Sequence, residues 1–308
     1  MVECQVRWAC AAMCVCFGIF VIACSGGETA TNRPPSGARI DIVSTSSILG
    51  DWARQVGGDE VSVVDLIPPG VDPHTFQPGA RDVANMAEAD LVLYVGLNLE
   101  GSWLKDLILN VDVENARVLA LGPLVPTLEA GGEVDPHFWM DPVRSKVAVL
   151  SIADELKSLD SEHENVYREN AAAYVDELES LNTWSMNTFS NLPVENRTLV
   201  TSHDSLGYFA VRYDFRIVGA VIPGITTERN PSASEMAELI DAIRKSQAKA
   251  IFLEVSTNDR MARRISEETG VPVVDGLKVG TLGDVDSETA TYVSMMRRNV
   301  EIIMEALK

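Results

Sequence analysis

Beyond position 24 the chain contains no cysteine. All five thiols, at Cys4, Cys10, Cys14, Cys16 and Cys24, crowd the first residues, so the body has no disulfide to rely on and must be held by its core. Histidine is scarce as well, with four in 308 residues: His74, His137, His163 and His203. No HExxH or CxxC pair occurs, which removes the compact zinc motifs that one helix or one turn supplies. Basic residues are few, 25 Lys and Arg against 45 Asp and Glu, for a formal charge of −20. A polyanion would be repelled, which excludes nucleic acid as a partner. After the leader there is no uncharged run of membrane-spanning length and no repeat of solenoid length.

What is present begins with Trp8 to Ala23, an apolar run after a single Arg7. It has the length of a signal-peptide core and is short for a span. It ends Val21-Ile22-Ala23-Cys24-Ser25-Gly26-Gly27, which resembles a bacterial lipobox, with Cys24 the lipidated first residue of the mature protein. Glu3 departs from the usual basic leader, and an uncleaved anchor is the alternative. Both readings put the body outside the cytoplasm, and the lipobox reading anchors it to the membrane by lipid. We expect a signal peptide over 1–23 and a flexible Gly-, Thr- and Pro-rich tether over 24–38.

From 39 to 141 short apolar runs alternate with helical periodicity, predicting strands at Arg39–Ser44, Val61–Leu66, Leu91–Val95 and Arg117–Leu121. Such alternation indicates a parallel-sheet α/β lobe. Residues 142–192 form a helical linker. Ser161 and Glu164 read there as the capping box of one long helix, whose apolar face carries Tyr167, Tyr174, Leu178, Leu181 and Phe189. From 193 to 308 a second parallel α/β lobe is expected, with strands at Thr198–Thr201, Arg216–Ile222, Ile251–Glu254 and Val271–Val274. Ser232 and Glu235 form another capping box there, and a closing helix is expected over Thr289–Leu307.

Within this pattern two loops echo each other. Asp135-Pro136-His137-Phe138-Trp139-Met140-Asp141-Pro142 follows Asp72-Pro73-His74-Thr75-Phe76. Proline restricts both its own φ and the residue before it, so each histidine sits in a stiff frame. The plain alternative is a sharp turn whose Phe138 and Trp139 plug a core. Ligands of open parallel sheets bind beyond the carboxyl ends of the strands. His74, His137 and His203 all fall at such ends, as do Glu254 and Asp275, whereas His163 opens the long helix and is expected to face solvent. Three converging imidazoles suit a borderline transition metal rather than calcium or magnesium. Zinc, with nitrogen ligands in tetrahedral sites, fits best, and Mn²⁺ or Fe²⁺ is the alternative. Glu254 and Asp275 could instead cap helices or orient an imidazole.

The chain from about Ile40 onward resembles the zinc/manganese-type solute-binding lipoproteins of bacterial ABC transporters, the TroA-like or ZnuA-like proteins. The resemblance is carried by DPHTFQPGARDV at Asp72, NLEGSWL at Asn98, DPHFWMDP at Asp135 and SHDSLGYFAVRYDF at Ser202. TTERNPSASEM at Thr226, IFLEVSTND at Ile251 and TYVSMMRRNVEII at Thr291 extend it. It implies two lobes joined by a rigid helix, a metal in the cleft, delivery to a membrane permease and no catalysis. By position it places the first three metal ligands on His74, His137 and His203. Manganese-type members usually have glutamate at the third position, so His203 points to zinc.

Two departures stand out. Gly280 occupies the place where the family often has a ligating aspartate, which leaves Glu254, with Asp275, Asp284 or water behind it, as the expected fourth ligand. The segment Pro126–Val134 is short and lacks the histidines of the long loop found in many zinc members. Rival functions are a hydrolase, because three histidines with an open fourth position also describe catalytic zinc, and a surface adhesin, a label some relatives carry. Against the hydrolase, no paired general acid and electrophile is evident, although Glu254 could act as a base. A monomer that docks on an ABC permease is the expectation.

Overall fold

The structure, a computed structural model, describes residues 39–110, 116–255 and 259–308. The expected leader, Cys24 and the tether lie outside the described residues. The described residues belong to one compact unit, and two α/β lobes are recognisable in it. In the first, β1 (Ile40–Ser44), β2 (Val61–Asp65), β3 (Leu91–Tyr94) and β4 (Arg117–Ala120) form a parallel sheet in the order β2-β1-β3-β4. Helices α1 (Ser47–Gly57), α2 (Ala80–Glu88) and α3 (Gly101–Asn110) supply the crossovers. Helix α1 starts where the Ser46 side chain accepts from the Leu49 N–H, and it buries Ile48, Leu49, Trp52, Ala53 and Val56 along one face. Each large apolar side chain so buried contributes roughly 1.5–3 kcal/mol.

The short segment before the second DPH loop folds as a hairpin, β5 (Glu129–Ala130) and β6 (Glu133–Val134). Its two-residue turn needs positive φ at both positions, and Gly131 and Gly132 provide it, at 63° and 87°. A 3-10 turn at Phe138–Met140 follows. Asp141 then caps α4 (Pro142–Leu159) by accepting from Val143 N–H, with Pro142 in the first turn, where a missing N–H costs nothing.

The long helix is α5 (Glu164–Ser190), 27 residues or about 40 Å. Its buried face is Tyr167, Ala171, Tyr174, Leu178, Leu181, Ser185 and Phe189, a stripe at alternating three- and four-residue steps. The capping box expected at Ser161 is not what starts it. The N-cap is His163, with no side-chain cap bond. Asp160 organises the corner instead, accepting from Glu162 N–H at 3.1 Å and Tyr167 O–H at 2.9 Å and meeting His163 Nδ1 at 2.5 Å. His163 is therefore half-buried between Asp160 and Glu60 rather than solvent-facing. Its contact with Asp160 raises its pKa above the ordinary histidine value, burial opposing.

The second lobe holds β7 (Thr198–Thr201), α6 (Gly207–Tyr213), β8 (Arg216–Ala220), α7 (Ala233–Ser246), β9 (Ile251–Glu254), α8 (Arg260–Thr269), β10 (Val273–Leu277) and α9 (Tyr292–Leu307). Two parallel pairs, β7–β8 and β9–β10, stand side by side through β7 and β9, repeating the first lobe's order. Strand β10 runs later than its apolar pattern predicts. Gly276, at φ 103°, lets it continue past a register shift to Leu277.

The lobes meet over a shared core. Trp52 of α1 packs edge-on against Tyr292 of α9 at 5.3 Å and against Phe138 at 6.1 Å. Asp51 accepts from Tyr292 N–H at 2.9 Å and Tyr174 O–H at 3.3 Å, binding α1, α9 and α5 at one point. The linker helix is thus fastened to both lobes. Among the described residues no helix is long and apolar enough to cross a membrane.

Candidate metal centre

His74 lies in the loop between β2 and α2, His137 immediately before the 3-10 turn, and His203 two residues beyond β7. All three are nearly inaccessible, with exposures of 5%, 1% and 3%. The fold gathers them from both lobes and the segment between. Nε2 of His137 lies 3.3 Å from Nε2 of His74 and 3.3 Å from Nε2 of His203. Among the described residues this trio is the one cluster of three or more potential donors close enough to share an ion.

The tautomers follow from the partners. Asp135 Oδ1 lies 2.8 Å from His137 Nδ1 and 2.9 Å from the same residue's backbone N. A carboxylate only accepts, so Nδ1 carries the proton and Nε2 presents its lone pair. Glu254 Oε1 stands 2.8 Å from Nδ1 of His203, an ion-pair contact whose angle misses good hydrogen-bond geometry. It too favours the proton on Nδ1. Nε2 lone pairs aimed at one another repel unless a cation lies between them.

His74 is held differently. In the first DPH copy Asp72 Oδ1 accepts from the backbone N–H of His74 at 2.9 Å, while its other oxygen is taken by the hydroxyl of Thr227 from the second lobe. Nδ1 of His74 is buried without a hydrogen-bond partner. Burial, then the neighbouring His137 and His203, push its pKa down to about 2. The ring is neutral at physiological pH, as a ligand must be. For His203, burial disfavours charge, but the charge and contact of Glu254 outweigh it and raise the pKa. Glu254 is lowered although burial acts to raise it, through His203 and the hydroxyls of Ser202 and Ser205 at 2.6 and 2.8 Å.

These contacts relocate the expected fourth ligand. Glu254 stands behind His203, against its second nitrogen, and is not a member of the donor cluster. Asp275 is exposed and faces Arg263 at 3.5 Å, and Asp284 is exposed. Gly280 packs so closely on Pro73 that a Cβ there would lie 2.8 Å from the ring's Cδ. The run from Thr226, one of the stretches that carry the resemblance, reaches Asp72 through Thr227.

Several residues that hold the site escaped sequence reasoning. Trp139 Nε1 donates to Val279 O at 2.7 Å. Tyr208 O–H donates to Asp135 O at 2.7 Å, and Arg212 makes a two-point pair with Asp141 at 2.8 and 2.9 Å. The DPHFWMDP loop therefore plugs the core with Phe138 and Trp139 and presents a histidine as well. Its repeated D-P-H frame was the available signal; the Tyr and Arg partners carry none in linear sequence.

The family model for the periplasmic zinc-uptake complex component A, ZnuA, matches residues 42–306. The chain belongs to this family. Relatives of this ZnuA-family protein include the manganese ABC transporter substrate-binding lipoprotein PsaA of Streptococcus mitis, 29% identical over 94% of this chain and 95% of that one. The metal ABC transporter substrate-binding lipoprotein SsaB of Streptococcus sanguinis is 30% identical over 93% and 94%. Among solved structures, the periplasmic zinc-binding protein TroA from Treponema pallidum superposes with a TM-score of 0.83 at 28% identity, over 88% of this chain and 99% of that one. This ZnuA-family protein is accordingly a metal-binding component of an ABC transporter and not an enzyme, which sets the hydrolase reading aside.

Proposed function

We propose that the chain captures Zn²⁺ outside the cytoplasmic membrane and hands it to its permease. The observation that carries this reading is the convergence of three Nε2 atoms, two of the separations being 3.3 Å. With zinc–nitrogen bonds of about 2.0–2.1 Å, that separation subtends about 107° at the ion, close to tetrahedral. A larger ion with longer bonds would see a narrower angle. An imidazole at position 203 makes the third donor a nitrogen, which supports the same choice.

His74, His137 and His203 are the proposed ligands, and Glu254 acts through His203. Because His74 belongs to one lobe and His203 to the other, the cargo itself joins 39–141 to 193–308 across the linker 142–192. Lipid attachment at Cys24 and a monomeric state complete the reading. The manganese alternative draws support from the name of PsaA. Native mass spectrometry with Zn²⁺, Mn²⁺ and Fe²⁺ supplied together tests both: one zinc per chain is expected, lost or freely exchangeable in His137→Ala. Preferential retention of manganese would overturn the zinc assignment, and retention of metal by His137→Ala would overturn the site.

A further inference from the structure

Away from the histidines, the second lobe has a cavity of about 440 Å³ between α7, α8 and the carboxyl ends of β7, β8 and β9. It falls within the size range of small-molecule sites. Arg260, Arg264, Asn230 and Ser202 supply its polar lining, with Met236 and Met261 among the apolar side chains, and among the described residues no carboxylate lines it. In a chain with 45 acidic residues and a charge of −20, a cavity lined by two guanidiniums and by no acid among the described residues runs against the composition.

The placement of the arginines sharpens the point. Arg263, between them in sequence, is occupied by Asp259 at 2.6 Å and Asp275 at 3.5 Å. Arg264 is exposed and makes no ion pair with a described residue. Arg260 and Arg264 are four apart on α8, so they share a face and repel each other. An anion between them would relieve that repulsion and accept from both forks. The thioethers and strand-end side chains provide an apolar wall, which an inorganic anion would leave unused and an organic one would cover.

We propose that this cavity is a second binding site, for a small organic carboxylate whose acid group lies between Arg260 and Arg264 and whose carbon body rests against Met236 and Met261. Ser202 belongs to both sites: it lines the cavity and donates to Glu254, the partner of His203. The site does not depend on which metal is carried.

The test is calorimetric titration of the metal-loaded full chain with succinate, benzoate and inorganic phosphate, with metal content read separately by native mass spectrometry. Saturable binding of one organic acid per chain is expected. Arg264→Gln should weaken it about tenfold, as the loss of one charge-assisted pair implies, and Arg260→Gln with Arg264→Gln should abolish it. Both variants should keep their metal. Absence of saturation by either acid at millimolar concentration, equal binding by wild type and the double variant, or saturation by phosphate alone would each overturn the proposal. So would binding of an acidic peptide in place of the acids. Failure of metal binding appears only in the mass spectra and leaves this result intact.

Discussion

Asp135 holds His137 twice, its Oδ1 accepting from the backbone N–H at 2.9 Å and from Nδ1 at 2.8 Å. One oxygen thereby sets both where the ring starts and which nitrogen is free. Such partners behind metal-bound histidines typically contribute 10–100-fold in affinity. Asp135→Asn can still accept the backbone N–H, but it removes the charge behind the ring. We expect the folded protein to bind zinc about 10–100-fold more weakly, measured by competition with a chromogenic chelator. Unchanged affinity would mean that the ring is held by packing alone.

Glu254 does for His203 what Asp135 does for His137, with Ser202 and Ser205 donating to the same Oε1. Glu254→Gln keeps the shape and loses the charge, so zinc affinity should fall by roughly tenfold or more. The bound metal should still be held by three nitrogens, which absorption-edge spectroscopy would read as an unchanged ligand set. A lost oxygen donor in that spectrum would instead make Glu254 a direct ligand.

The contrast between these two acids shows what linear sequence can carry. Strands β7 and β9 match their predicted bounds because a short run of strand-forming residues between turn-forming flanks marks its own ends. The three histidines were legible because strand ends collect ligands and because D-P-H occurs twice. The contact of Glu254 with the second nitrogen of His203 was not legible. A carboxylate at a strand end looks the same whether it meets an ion or the far side of an imidazole, and only the path of the backbone decides. The start of α5 failed for a related reason: Ser161 and Glu164 have the right spacing, but Asp160 takes up the local donors first.

Gly280 packs directly on the loop that carries His74. A Cβ added there would lie 2.8 Å from Cδ and 3.1 Å from Cγ of Pro73, and a proline ring has no flexible end to swing away. Bonds on both sides pin the segment, Trp139 Nε1 to Val279 O at 2.7 Å and Gly70 N–H to Thr281 Oγ1 at 3.0 Å. Gly280→Ala should push Pro73, and with it His74, out of register. Overpacking of this kind costs about 1–3 kcal/mol, so affinity for zinc should drop about tenfold. Gly280→Asp should bind no more tightly than wild type. Tighter binding by the aspartate would show that the His74 loop yields and that a fourth protein ligand can be restored.

The last expectation concerns pH and a carboxylate outside the histidine cluster. Glu100 is buried, and its oxygens accept from Thr45 O–H at 2.8 Å, Val95 N–H at 2.7 Å and Gly96 N–H at 3.0 Å. Burial raises its pKa above the ordinary glutamate value, and the hydrogen bonds offset this only in part. Between the unfolded and folded values the native state binds more protons, so stability falls as pH rises through that window. The contribution is fully present below the unfolded value and lost above the folded one. Its slope is at most about 1.4 kcal/mol per pH unit for one group. Glu100→Gln cannot titrate, so denaturant midpoints of the metal-free protein, taken from just below the ordinary glutamate range to neutrality, should lose that slope. A wild-type slope that survives the substitution would assign the effect to other buried acids, of which Asp51 and Asp65 are likewise raised by burial.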